Sequence, residues 1–187
     1  FPGNLKSLRE WWRVFGAVRA RLRQPADVDV IVQELGTDGV GQIPHFGTYL
    51  QPDIAVVTSV SAEHMEFFKT LDAVAAEELS VVNYSKEALI NRDDVPGKYA
   101  EDVTNARIAT YGTTDAAEYR FTTNDYTFED GFEGEFYAAG FAASASTTLH
   151  VIGEHSIRAA VAAGAVATRL GFSPAEAAKG MEKVRPV

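Results

Sequence analysis

Ile54-Ala-Val-Val-Thr58, followed closely by Ser61-Ala-Glu-His64, is the stretch on which the fold class turns. Its core is four apolar residues, three of them β-branched, between Pro52-Asp53 and a serine-rich loop. That pattern reads as a short strand rich in β-branched residues. Upstream, Val28-Asp-Val-Ile-Val-Gln-Glu34 has the same character and runs into the glycine-punctuated turn Gly36-Thr-Asp-Gly-Val-Gly41, with a short helix expected after it. Downstream, Ala88-Leu-Ile-Asn91 is a third such run, closed by Arg92-Asp93-Asp94. Between the second and third runs, Thr70 is placed to cap a helix through Leu71, Val74, Ala75 and Leu79. Strand, helix, strand, helix, strand predicts an α/β fold, a mostly parallel sheet flanked by helices with right-handed crossovers.

The flanks extend this reading. Leu5, Leu8, Trp12, Phe15, Val18 and Leu22 recur at three- and four-residue steps, which predicts an amphipathic helix over 4–23. Its other face carries Arg9, Arg13, Arg19, Arg21 and Arg23, read as a solvated face. From Arg107 the pattern changes to short Thr-, Tyr- and Phe-rich runs with turns at Asp130-Gly131 and Gly134, so a small antiparallel sheet is expected over 107–152. Two helices follow, 155–170 and 174–183, the second opening on the capping box Ser173-Pro174-Ala-Glu176. Nothing repeats, and the whole of 1–187 reads as a single domain.

Bulk composition excludes several classes. With 46% hydrophobic and 23% charged residues the 187-residue chain is globular rather than disordered. A net charge of -9 weighs against a nucleic-acid partner, whose affinity rests on clustered Lys and Arg. There is no cysteine, which removes disulfides and thiolate metal sites and fits a reducing cytoplasm, the expected location. No apolar run approaches the roughly 20 residues that span a bilayer, so no membrane partner is expected.

Open α/β sheets bind ligands at the carboxyl ends of their strands. Glu34, His64 and the Asp93-Asp94 pair occupy such ends. If the first two strands are neighbours, Glu34 and His64 face one pocket and can share a divalent cation. Magnesium takes one or two carboxylates and keeps several waters, and an imidazole in its shell is atypical and suits manganese better. Taken alone, His64 reads as a loop histidine.

Four motifs add to this in order. Val32-Gln-Glu-Leu-Gly-Thr-Asp-Gly-Val-Gly-Gln-Ile43 resembles the Mur ligases' strand ending in Glu-Met/Leu-Gly with a Gly-Glu-Ile-like tail. Pro52-Asp-Ile-Ala-Val-Val-Thr-Ser-Val-Ser-Ala-Glu-His-Met-Glu66 is similar to their segment ending in His-Leu-Glu, and Leu89-Ile-Asn-Arg-Asp-Asp94 to their Asn-x-Asp-Asp turn. Val151-Ile-Gly-Glu-His-Ser156 resembles their Gly-x-His-Asn motif opening an alanine-rich helix. The resemblance covers about residues 28–187 and is closest to the branch that adds D-alanyl-D-alanine to a UDP-muramoyl-tripeptide.

The resemblance implies a phosphate-loop NTPase-like central domain of an ATP-dependent amide ligase of peptidoglycan precursor synthesis. ATP phosphorylates a terminal carboxylate, an amine attacks the acyl phosphate, and magnesium offsets the developing charge. The partners it implies are a UDP-muramoyl-peptide and an amino acid or dipeptide. Glu34 and His64 correspond to catalytic, magnesium-serving residues; Asn91, Asp94 and Ser156 fall at nucleotide-binding positions. Three departures matter. The only Gly-Lys is Gly97-Lys98, followed by Tyr99, so the family's upstream Gly-Lys-Thr loop and its strand are missing. The chain is therefore expected to be an incomplete central domain, inactive alone and lacking the family's N- and C-terminal domains; Pro186-Val187 agrees with the family's domain boundary. Many family members carry a carbamylated lysine 14 or 15 residues after the histidine, where this chain has Glu78, fourteen residues on. Glu78 is either a substitute metal ligand or an exposed helix glutamate beside Glu77. Ser156 and Ala159 stand where the family has asparagines near adenine. The competing readings are a folylpolyglutamate- or cyanophycin-synthetase-type ligase, and a scaffold or binding domain that has lost nucleotide chemistry.

Overall fold

Hydrophobic periodicity and caps account for most of the elements. A computed structural model describes residues 6–24, 27–105 and 107–185 of the chain, which divides into two units, Phe1–Leu35 and Gly36–Val187. The expectation attached to Pro186-Val187 lies outside the described residues, as do positions 4 and 5 of the first expected helix.

In the first unit, helix α1 (Leu8–Arg21) starts on Ser7, whose hydroxyl accepts the Glu10 N–H at 3.4 Å. Glu10 in the first turn and Arg19 and Arg21 in the last complement the helix dipole. No α1 residue is buried, and Trp12 is 76% exposed. The arginine face is solvated as expected, and so is the apolar stripe. The strand expected over 28–34 does not form: those residues are irregular chain, with Val32 92% exposed. The physical reason is that a strand exists only through a neighbour's hydrogen bonds. β-branched residues fit a pleated surface but do not create one, and this unit has no second strand among its described residues.

The second unit opens with helix α2 (Gln42–Phe46), then strand β1 (Ile54–Val57), helix α3 (Met65–Phe68), helix α4 (Leu71–Asn83) and strand β2 (Glu87–Asn91). A 3-10 turn (Gly97–Asp102) leads to strands β3 (Ile108–Gly112), β4 (Tyr119–Thr127), β5 (Gly131–Tyr137) and β6 (Ala145–Leu149), and the unit ends in helices α5 (Glu154–Arg169) and α6 (Pro174–Glu182). Thr70 caps α4 and Ser173–Glu176 forms the capping box of α6, both as the sequence predicts.

The six strands form one sheet in the order β1-β2-β3-β4-β5-β6. Pairing is parallel from β1 to β4 and antiparallel from β4 to β6. The expected small antiparallel sheet is thus continuous with the parallel strands, and Ile108–Gly112 belongs to the parallel part. Continuity follows from backbone hydrogen bonding: β3 offers a free edge, and β4 pairs with it through Tyr111↔Tyr119 and Gly112↔Arg120.

Each sheet face carries its own core. Ala88 and Ile90 of β2 pack with Ala55, Val57, Val74, Leu79 and Val82 against α4. Leu89, between them, points the other way and joins Tyr111, Phe121, Phe136, Val161 and Met181 under α5 and α6. The uninterrupted apolar run of β2 is required by this double burial. A glycine makes the second core close: a Cβ on Gly164 would stand 2.9 Å from Phe136 and 3.0 Å from Met181. No helix of the described residues is long and apolar enough to cross a membrane.

Candidate active site

The carboxyl ends of β1 and β2 are tied by one side chain. Asn91, 2% exposed, donates both amide hydrogens, to the Thr58 carbonyl and to Asp94, each at 2.7 Å. Its carbonyl oxygen accepts the Asp93 N–H at 3.0 Å, and the Val60 N–H reaches the Asp94 carbonyl at 3.2 Å. The amide is fully engaged, so any part Asn91 has in cofactor binding runs through the turn it shapes.

Asp94 is held from the opposite side by α5. Arg158 donates from one guanidinium nitrogen to both its carboxylate oxygens, at 2.6 and 2.5 Å, and its Nε lies 3.7 Å from Asp93. Asp93 in turn accepts from the N–H and hydroxyl of Thr113, at 2.7 and 2.8 Å. Gly112 leaves room for it: a Cβ there would stand 2.5 Å from the Asp93 carboxylate, which would have to shift. Two adjacent half-buried acids with a single guanidinium account for the raised Arg158 pKa, chiefly through its hydrogen bond to Asp94. Underneath, the Tyr111 hydroxyl donates to the Val57 carbonyl at 3.2 Å; burial first, and then Asp94 and Asp93, push its pKa well above the ordinary tyrosine value.

α5 begins on Gly153 at φ +79°, with no side-chain capping bond. Ser156, expected near the nucleotide, donates its hydroxyl to the Ile152 carbonyl at 3.0 Å, and Ala159 offers no hydrogen bond. A cavity of about 220 Å³ opens beside this helix, lined by Thr113, Phe121, Thr122, Glu154, Ile157 and Arg158 among others.

His64 follows β1 and is the residue on which α3 starts, in the left-handed region at φ 52°, ψ 34°. For a non-glycine residue that conformation costs roughly 1–2 kcal/mol. Glu78, on α4, is only partly buried; burial raises its carboxyl pKa, Glu77 and Glu63 raise it further, and His64 lowers it. Glu78 is thus of intermediate exposure rather than fully exposed, with Glu77, Glu63 and His64 acting on its charge. Among the described residues no group of three or more His, Asp or Glu side chains stands in a metal-holding arrangement. Glu34 belongs to the first unit, on exposed irregular chain, with its backbone carbonyl accepting the Gln33 amide at 2.8 Å.

Lys98, of the lone Gly-Lys pair, donates to Asp72 at 3.1 Å and lies 4.4 Å from the Tyr99 ring centroid, in the 3-10 turn. It is spent on the flank of α4.

Sequence reasoning missed Arg158 and Glu77. Arg158 lies 64 positions from its partner Asp94 and carries no local signal. Glu77 is 4% exposed; its position three residues after Val74 puts it on the apolar stripe of α4, and that spacing is the signal that was available.

Comparison with known proteins bears on all of this. The family model described as "Mur ligase middle domain" matches residues 17–167. A UDP-N-acetylmuramoyl-tripeptide–D-alanyl-D-alanine ligase of Bacillus subtilis is 28% identical over 170 residues, covering 88% of this chain and 35% of that protein. MurF from Acinetobacter baumannii superimposes with a TM-score of 0.72 at 20% identity, over 83% of this chain and 34% of the other. MurF ligase from Thermotoga maritima, solved in complex with ADP, gives 0.59 at 18% identity over 79% and 34%. The chain thus spans about a third of the length of these relatives, and the structural neighbours share its α/β fold. Strand ends gathered by Asn91, the Asp93-Asp94 turn docked on α5 and the match over 151 residues (17–167) agree: this chain belongs to the Mur ligase family, as its middle domain.

Proposed function

We propose that this chain is the nucleotide- and metal-handling part of an ATP-dependent ligase that joins an amino acid or dipeptide to a UDP-muramoyl-peptide through an acyl phosphate. The observation that carries the reading is the convergence of β1, β2 and the start of α5 on one turn, held by Asn91 and Arg158, in a chain matched by the family's middle-domain model. A ligand pocket at the carboxyl ends of parallel strands is the expected place for a nucleotide.

In this reading His64 and Glu78 serve magnesium and Glu34 keeps the catalytic, magnesium-serving role that the family resemblance gives it, while Asp94 and Ser156 border the nucleoside. The carboxylates suit a hard divalent cation, the imidazole is atypical for magnesium and suits manganese better, and the acidic neighbours that raise the Glu78 pKa are a charge that a bound cation would offset. The lack of a preformed three-residue cage among the described residues is compatible with magnesium, which completes its shell with water and phosphate oxygens. When bound, the ion supplies charge neutralisation at the transferred phosphoryl group. The residues of this chain orient and exclude water: Arg158 removes Asp94 from competition for the cation, and Glu78 offers a carboxylate without carbamylation. Activity is then independent of bicarbonate.

The 187-residue chain contains no Gly-Lys-Ser/Thr loop, and we expect no ATP turnover from it alone. The test uses the full protein its gene encodes. ADP release that needs magnesium, a UDP-muramoyl-peptide and D-alanyl-D-alanine, unchanged on removing bicarbonate and reduced at least about 100-fold by His64→Ala, supports the reading. No substrate-dependent ADP release refutes it and favours a binding module.

A further inference from the structure

Glu77 is a buried carboxylate that the chemistry above does not use. It is 4% exposed, yet among the described residues no lysine, arginine or histidine forms an ion pair with it. Its charge is met by the backbone. One oxygen accepts the Gly41 N–H at 2.7 Å; the other accepts the Ile43 N–H at 2.7 Å and the Thr37 hydroxyl at 3.4 Å. Burying a carboxylate is tolerated only where such donors replace its water. Here they are the otherwise orphaned amides at the start of α2 and the glycine turn before it.

The turn has other restraints as well: Gln42 donates to the Asp38 carboxylate at 2.6 Å and accepts the Asp38 N–H at 3.1 Å, and the Tyr84 hydroxyl at the end of α4 donates to the Ile43 carbonyl at 2.9 Å. Gly41 sits at φ +89°, and the Thr37 hydroxyl also donates to the Gly39 carbonyl at 2.8 Å and accepts the Gly39 N–H at 3.3 Å. Thr37 comes three residues after Glu34 in the chain. On α4, Glu77 is the immediate neighbour of Glu78. Successive helix positions point about 100° apart, so one helix sends one carboxylate to the turn that follows Glu34 and the next to the surroundings of His64.

We infer that Glu77 is a positioning residue for the metal-dependent ligation: by clamping the turn over 37–43 to α4 it holds that turn against the helix bearing Glu78. The inference rests on the proposed function. Glu77 touches no reacting atom in it; its effect passes through the backbone of the turn.

The discriminating substitution is Glu77→Gln, which keeps size but sets an NH₂ donor against an N–H donor. In the 187-residue chain, amide exchange at one of Gly41 and Ile43, the one left facing the new NH₂, is expected to speed up at least about tenfold, the loss that accompanies an unmet buried donor. In the full protein the gene encodes, the magnesium concentration for half-maximal activity is expected to rise about tenfold, with kcat recovered at saturating magnesium. A purely structural Glu77 lowers the melting temperature and kcat and leaves the magnesium requirement where it was, which overturns the inference. If Glu77→Gln does not fold, Thr37→Val decides: a smaller rise in magnesium requirement supports the clamp, and an unchanged one overturns it. An unsubstituted protein with no magnesium-dependent ligation instead defeats the proposed function, while the exchange result still reports on the clamp.

Discussion

Replacing Arg158 by leucine removes the only guanidinium that, among the described residues, pairs with the Asp93-Asp94 turn. Asp94 would keep a single side-chain donor, the Asn91 amide, while Asp93 would keep both bonds from Thr113. Hydrogen bonds to charged groups contribute about 1.5–3 kcal/mol when their loss strands a partner. The side chains are 29% and 33% exposed, so water re-solvates part of the carboxylate and the lower half of that range applies, about 2 kcal/mol. For a chain of this size that corresponds to a fall of about 4–8 °C in melting temperature. Urea unfolding followed by circular dichroism measures it, with an unchanged m-value showing that only stability moved. Arg158→Lys, which keeps the charge without the planar fork, is expected to lose about half as much. A leucine variant within about 0.5 kcal/mol of the parent refutes the idea that this cation holds the turn.

Glu78 gives a pH-dependent outcome. Its folded-state pKa is raised by burial and then by Glu77 and Glu63, so the folded form binds its proton more tightly than the unfolded chain. Stability from this group is therefore present below the unfolded value and falls as pH rises through the folded one. Glu78→Gln should raise the urea midpoint at pH 7, with the gain vanishing below about pH 4; a constant difference across that window refutes it. Gly134→Ala would place a Cβ 2.2 Å from the Thr122 carbonyl and 2.6 Å from Phe121, and should cost at least about 2 kcal/mol in the same assay. Tyr111→Phe removes the hydroxyl that meets the Val57 carbonyl on the sheet's outer strand and should cost about 1 kcal/mol; alkaline absorbance titration should show one slow, high-pH tyrosine fewer.

Much of the second unit was legible because its signals are local. The caps at Thr70 and Ser173, the double-sided apolar run of β2 and the periodic helices each depend on residues within a turn or two. The candidate site was legible in its strand-end groups, His64 and Asp93-Asp94, since a strand's end can be found from its own sequence. The partners were not. Asn91 reaches Thr58 across 33 positions, Arg158 reaches Asp94 across 64, and Glu77 reaches Ile43 across 34. Glu77 also shows how an adjacent pair misleads: two glutamates read as one polar patch, although a helix turns successive residues apart.

By itself the sequence determined the α/β class, the order of the elements from Gly36 onward and the family resemblance, because hydrophobic period, caps and motifs are properties of short windows. Tertiary structure alone decided whether Val28–Glu34 becomes a strand, whether β4 joins the parallel sheet, and which carboxylate of α4 is buried. Those outcomes depend on which backbone edge or amide lies opposite, and pairing across long separations leaves no mark in either partner's neighbourhood.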